Sequence, residues 1–142
     1  MIVLNKYLKN QVDLVHHTVY LTSEQRQKTK QKIIVDDLII KLDLDRGTVI
    51  KDHDLLTNED EKIVVQIKAK PENVTTVTAD NPLDLLRASY HLGNRHVSLE
   101  IRENYLRFSS DHVLESMLVK LGLDVKREIA PFCPEVGAYH HH

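Results

Sequence analysis

His91 and His96 flank a glycine in the stretch YHLGNRHVSLEI, residues 90 to 101, and belong to a set of nine histidines that also holds His16, His17, His53, His112 and His140 to His142. Imidazole is the commonest metal ligand and the one side chain whose unperturbed titration falls near neutral pH, so the enrichment points to metal binding or proton transfer. Spacing narrows the choice. No pair of histidines sits four residues apart on a helix and no CxxC accompanies them, so one chain supplies no conventional mononuclear site. His16 and His17 point to opposite faces of an extended chain and cannot chelate together. His53 reads as an exposed turn residue, and His91 as a structural residue near a helix C-terminus, where imidazole interacts well with the helix dipole. The terminal HHH follows GAY and reads equally as a native tail or as the remnant of an expression tag. His96 is left as a candidate surface ligand, with a locally hydrogen-bonded polar residue as the alternative. Close to the two-fold axis of a symmetric dimer, that one position would supply two imidazoles.

These side chains need elements to hold them. In the first half, Leu38, Ile40, Leu42 and Leu44 alternate with Ile39, Lys41, Asp43 and Asp45, and Ile63, Val65, Ile67 and Ala69 alternate in the same way. That period of two predicts half-buried strands. Turn chemistry at Asp36-Asp37, Arg46-Gly47 and Thr57-Asn58 separates strand candidates, which predicts a small all-β domain. In RQKTKQK, Arg26, Lys28, Lys30 and Lys32 recur at every second residue, so an extended chain would put four cations on one sheet face. Such a row is either a solvated face that discourages edge pairing or a docking surface for an acidic partner.

The pattern changes at Pro71. NVTTVTA reads as a strand, and NPLDLLRASYHLG carries helix signals: Asn81 as N-cap, Pro82 at the first helical position, Asp84 in the first turn and Gly93 just past the end. Val97, Leu99 and Ile101 alternate with Ser98, Glu100 and Arg102 as a strand, Glu103-Asn104 turns, and YLRF returns as its partner. Val113, Leu114, Met117, Leu118 and Leu121 make a helical stripe between Asp111 and Gly122, and LDVKREI closes the unit. The order β-α-β-β-α-β predicts a ferredoxin-like sandwich. The fold class is therefore α+β, with a β-rich domain over residues 1–71 and a ferredoxin-like domain over 72–142.

Composition removes several functions. With Lys+Arg at 19, Asp+Glu at 21 and a net charge of -2, no overall field favours nucleic acid or an acidic membrane. Cys133 is the single cysteine, which excludes an internal disulfide framework and suits a reducing compartment. The start lacks signal-peptide character and no apolar run reaches membrane-spanning length, so a soluble cytoplasmic protein is expected. A hydrolase using zinc-bound water would need three ligands and a general base, which no spacing supplies. A nucleic-acid-binding sheet would want exposed aromatics, and only Tyr105 and Phe108 fall on the relevant hairpin. The histidines ask for a metal or proton-transfer role that spacing within one chain does not establish, and a plain protein-interaction module or a zinc or copper homeostasis protein stands as the alternative.

YHLGNRHVSLEI followed by DHVLESMLVKLGLDV, then by PFCPEVGAY and histidines, resembles the urease accessory protein E family, the nickel chaperones of urease assembly. LTSEQRQKTKQK, LDLDRGTVIKDHDLL and AKPENV resemble the family's N-terminal half more loosely. The resemblance implies a β-rich peptide-binding domain, a ferredoxin-like metal-binding domain, and a homodimer joined through the latter. It implies that His96, the histidine of GNRH, bridges nickel with its counterpart in the other protomer. His112, of DHVL, matches a peripheral metal site of some relatives, with a plain helix N-terminal residue as the alternative; Ser110 stands where some of them carry a further histidine. His140, His141 and His142 would supply further ligands if native. The implied partners are the urease apoprotein and urease accessory proteins including a GTPase, with no turnover by the chain itself. Zinc and copper suit imidazole too, and the Irving–Williams order puts nickel below copper, so partner delivery must contribute to selectivity. A site of few histidines open at a dimer surface can exchange ligands with an acceptor, and its binding weakens as pH falls through the imidazole range.

Overall fold

The computed structural model describes residues 1–137, so His140, His141 and His142 lie outside the described residues. Two compact units are present, one built on Met1–Lys70 and the other on Pro71–Glu135. No helix among the described residues is long and apolar enough to cross a membrane.

The first unit consists of β1 (Ile2–Leu4), β2 (Lys6–Leu8), β3 (His17–Leu21), α1 (Ser23–Arg26), β4 (Lys30–Val35), β5 (Leu38–Asp43), β6 (Leu55–Thr57) and β7 (Val64–Ala69). They form a three-stranded sheet, β1-β5-β4, and a four-stranded sheet, β2-β6-β7-β3. The alternating residues Ile40, Leu42, Leu44, Val65 and Ile67 bury their side chains with Leu4, Val19, Leu21, Ile50 and Leu56 in one apolar cluster. A two-residue turn at Asp36-Asp37 joins β4 to β5, with Asp36 at φ 53° in the left-handed region that aspartate tolerates.

RQKTKQK departs from the sequence expectation. Thr22 Oγ1 accepts from the Gln25 N–H and Gln25 Oε1 accepts from the Thr22 N–H, a capping box that starts the single-turn helix α1. Arg26 ends that helix at 4% exposure, its Nε donating to the Leu21 carbonyl. The face of four cations is therefore not formed, and only Lys30 and Lys32 alternate along a strand. A local cap in TSEQ outweighed the period of two.

The second unit consists of β8 (Pro71–Thr78), α2 (Pro82–Asn94), β9 (Glu100–Ile101), β10 (Leu106–Ser109), α3 (His112–Lys120) and β11 (Asp124–Pro131). Its sheet runs β11-β8-β10-β9 with every neighbour antiparallel, the strand order of the ferredoxin-like fold. Leu85, Ala88 and Leu92 give α2 a buried face, which meets Val77, Leu99, Leu106, Phe108, Leu118 and Leu123. Phe108 is fully buried, so it offers no stacking platform on the sheet. The apolar stripe on α3 is narrower than its spacing predicts: Leu118 is buried and Leu114 and Met117 pack beside it, whereas Val113 and Leu121 are 59% and 49% exposed.

An ion pair ties α3 to β11. Arg127 donates Nε to Glu115 Oε2 at 2.8 Å and Nη2 to Oε1 at 2.8 Å, and Thr75 Oγ1 also donates to Glu115. The Arg127 guanidinium holds the Glu115 carboxyl below its ordinary range, with the Thr75 hydroxyl adding to the effect. A carboxylate lowered in the folded state contributes fully above its unfolded value, and that contribution is lost as pH falls through the folded one. Wild type and Glu115→Gln should therefore differ most in urea midpoint at neutral pH and converge on acidification below about pH 4.3. A gap that stays constant with pH would refute this role for the pair.

Candidate metal centre

Both long helices of the second unit close in the same way. At the end of α3, the Gly122 N–H donates to the Val119 carbonyl at 3.0 Å and the Leu123 N–H to the Leu118 carbonyl at 3.0 Å, with Gly122 at φ 88°. At the end of α2, the His96 N–H donates to the Gly93 carbonyl at 3.0 Å and the Val97 N–H to the Leu92 carbonyl at 3.2 Å, with His96 at φ 57°. This pair of bonds closes a helix through one left-handed residue, normally glycine. Gly93 therefore does not end the helix as its position in the sequence suggests. It lies inside α2, Arg95 is the C-cap, and His96 reverses the chain.

A residue with a β-carbon in the left-handed region costs on the order of 1–2 kcal/mol. The α3 terminus shows that glycine fills the same place in this fold, so His96 holds a position where glycine would be cheaper. What the histidine supplies is an exposed imidazole that has no hydrogen-bond or ion-pair partner among the described residues.

The other histidines are placed differently. His112 is the first residue of α3, exposed, and follows the N-cap Asp111, whose carboxylate accepts from the Val113 and Leu114 N–H groups at 2.9 and 3.1 Å. His96 and His112 lie at the same end of the sheet, where β9 begins and β10 finishes. Among the described residues, no three His, Cys, Asp or Glu side chains gather closely enough to hold a metal ion. His16 Nδ1 accepts from the Val64 N–H at 3.0 Å, a structural role that occupies a ring nitrogen. His53 is an exposed turn residue at φ 73° whose Nε2 stands 3.3 Å from Asp52. His91 packs edge-on against Tyr90, with ring centroids 5.5 Å apart.

One polar residue near this end of the fold escaped the sequence reading. Glu100 sits on the polar side of the alternation, yet it is 3% exposed, while Ile101, on the apolar side, is 47% exposed. The regular strand is correspondingly reduced to Glu100–Ile101. Glu100 Oε2 accepts from Arg102 Nε at 2.9 Å and from the Tyr105 hydroxyl at 3.2 Å, and Oε1 accepts from the Cys133 N–H at 2.8 Å. The Glu135 N–H donates to the Leu99 carbonyl at 2.8 Å. The segment after β11 is thus fastened to Leu99 and to Glu100 at the start of β9, three and four residues beyond His96. An acid flanked by Arg102, Tyr105 and Arg107 in a short hairpin was the available signal.

Comparison with known proteins covers both units of the chain. The model of the UreE urease accessory protein C-terminal domain matches residues 72–142, and that of the N-terminal domain matches residues 4–69. A urease accessory protein UreE from Nostoc punctiforme is 53% identical over 131 residues, covering 90% of this chain and 88% of the relative. One from Thermosynechococcus vestitus is 49% identical over 123 residues, covering 86% and 85%. One from Pseudomonas putida is 44% identical over 140 residues, covering 98% and 86%. With both halves matched and identity sustained across them, the chain belongs to the UreE family of urease accessory proteins.

Proposed function

We propose that this urease accessory protein is a nickel metallochaperone, acting as a homodimer in which the two His96 imidazoles hold one nickel ion between protomers. The observation that carries the reading is a free, exposed imidazole at a left-handed helix terminus, where the neighbouring helix uses glycine. Such an outlier is retained when its side chain is needed. One imidazole is an incomplete donor set, and a two-fold axis beside it doubles the set without new sequence. Leu83, Leu86 and Tyr90, 52%, 65% and 66% exposed, form an apolar stripe on the open face of α2, whose far end carries His96. Packing that stripe against its own copy about a two-fold axis near Tyr90 would bury apolar area and bring the two helix ends together.

The chemistry is transfer without turnover. Neutral imidazole nitrogens donate to nickel, and also to zinc or copper, with the metal as cargo. A site of two imidazoles leaves coordination positions for an acceptor's ligands, so the ion can pass by exchange to the urease apoprotein through accessory proteins including a GTPase. His112 adds a peripheral site, and His140, His141 and His142, as a native tail, supply further ligands. Glu135 is fastened beside Leu99 and His140 follows five residues later, a stretch that can reach at most about 18 Å. This work belongs in the cytoplasm, with no part for nucleic acid or membrane.

Truncation after Gly137 tests the division of labour. Nickel titration should give a lower stoichiometry than the full chain and an unchanged tightest site. Loss of the tightest site on truncation would assign it to the tail instead.

A further inference from the structure

The outward face of the β1-β5-β4 sheet carries a charge arrangement that metal binding does not use. Antiparallel pairing sets Lys32 opposite Lys41, Ile34 opposite Ile39 and Lys30 opposite Asp43, and parallel pairing of β1 sets Val3 beside Lys41. The intervening Ile33, Ile40 and Leu42 face the core, so Val3, Lys32, Ile34, Ile39 and Lys41 share the solvent side. Ile34 is 74% exposed and Ile39 42%. Lys30 pairs with Asp43 at 3.6 Å, whereas Lys32 and Lys41 have no ion-pair partner among the described residues.

Like charges directly opposite each other destabilise a sheet. Guarding an exposed edge accounts for lysines on β4, which ends the sheet. It does not account for Lys41, because β5 is the central strand and both its sides are paired. An anion lying across the two ammonium groups would convert this repulsion into binding energy.

We propose that this face docks an extended acidic segment of a partner protein, with its carboxylates on Lys32 and Lys41 and its aliphatic side chains on Ile34, Ile39 and Val3. Neighbouring residues on one side of a strand recur about 6.8 Å apart, which is also the repeat of alternate side chains in an extended peptide. Strand β4 leaves one side open for such a segment to add to the sheet. The aliphatic companions favour polypeptide over nucleic acid, which would want aromatic platforms beside the lysines. The proposal stands independently of the nickel site.

The test uses the full chain and a short fluorescein-labelled peptide alternating glutamate with valine, read by anisotropy. A lysine-valine peptide and a labelled oligodeoxythymidylate serve as comparators. The glutamate peptide should bind, and binding should weaken with salt. Lys32→Glu should weaken it by about tenfold or more. That substitution also turns the repulsive pair into an attractive one, so its thermal midpoint should hold or rise, which separates lost docking from lost folding. Ile34→Ser should weaken the peptide without altering nickel stoichiometry. Equal binding by wild type and Lys32→Glu, equal binding of the lysine peptide, or no anisotropy change with the glutamate peptide would overturn the proposal. Preferential binding of the oligodeoxythymidylate would overturn it in favour of nucleic acid.

Discussion

Replacing His96 with asparagine is expected to remove tight nickel binding and leave the fold intact. Asparagine tolerates the left-handed region, so the bonds from residues 96 and 97 that close α2 should persist. Only the imidazole is lost, and in a bridged site the single change removes both donors. Loss of an outer-shell partner alone commonly costs 10–100-fold in metal affinity, so deleting both ligands should cost at least about a hundredfold. His96→Gly sharpens the point. Glycine relieves the left-handed strain by about 1 kcal/mol, and in a unit of this size that raises the thermal midpoint by about 5 °C. A variant both more stable and unable to bind would show that histidine is held there against folding preference. Lower stability in His96→Gly would mean that the imidazole serves the fold.

The second large effect is expected at Glu100. Its carboxylate accepts from Arg102, Tyr105 and the Cys133 amide while 3% exposed, so Glu100→Ala strips three donors of one acceptor. Hydrogen bonds to a charged group contribute about 1.5–3 kcal/mol each and do not add, which sets the expected loss at about 3 kcal/mol. That corresponds to a fall of more than about 10 °C in the midpoint of the second unit. The Cys133 amide should also exchange faster with solvent, because the segment leading to the tail loses one of its fastenings to β9. Glu100→Gln keeps an acceptor and should lose roughly half as much. Unchanged exchange at Cys133 in Glu100→Ala would show that the segment is held by other contacts.

How far the sequence discloses this molecule differs from residue to residue. The start of α2 is legible because Asn81, Pro82 and Asp84 act within one turn, and Asn81 does accept from the Asp84 N–H at 2.9 Å. Its end is not, because a glycine inside a helix costs only about 1 kcal/mol and can be overruled by tertiary packing. Val97 packs with Leu92 in the core cluster, and that contact closes the helix at His96 rather than at Gly93. Alternation in β5 and β7 is legible because one face is buried along each strand. The cation row beginning at Arg26 misled, since its period of two says nothing about the capping box formed by Thr22 and Gln25. Burial of Glu100 could not be read, because a carboxylate goes inside only where Arg102, Tyr105 and the Cys133 amide converge on it in space. His96 stands out as a candidate by type and context, whereas its left-handed backbone, the strongest argument for the proposed role, exists only in three dimensions.

The proposed bridge requires one nickel ion to be shared by two chains. Its most direct test is native mass measurement of the chain ending at Gly137, with nickel added stepwise, because removing the terminal histidines leaves the bridge as the tight site. Sharing predicts one tightly held nickel per two chains, and none at the same concentration in His96→Asn. One nickel per chain, or an unchanged count in His96→Asn, would contradict it.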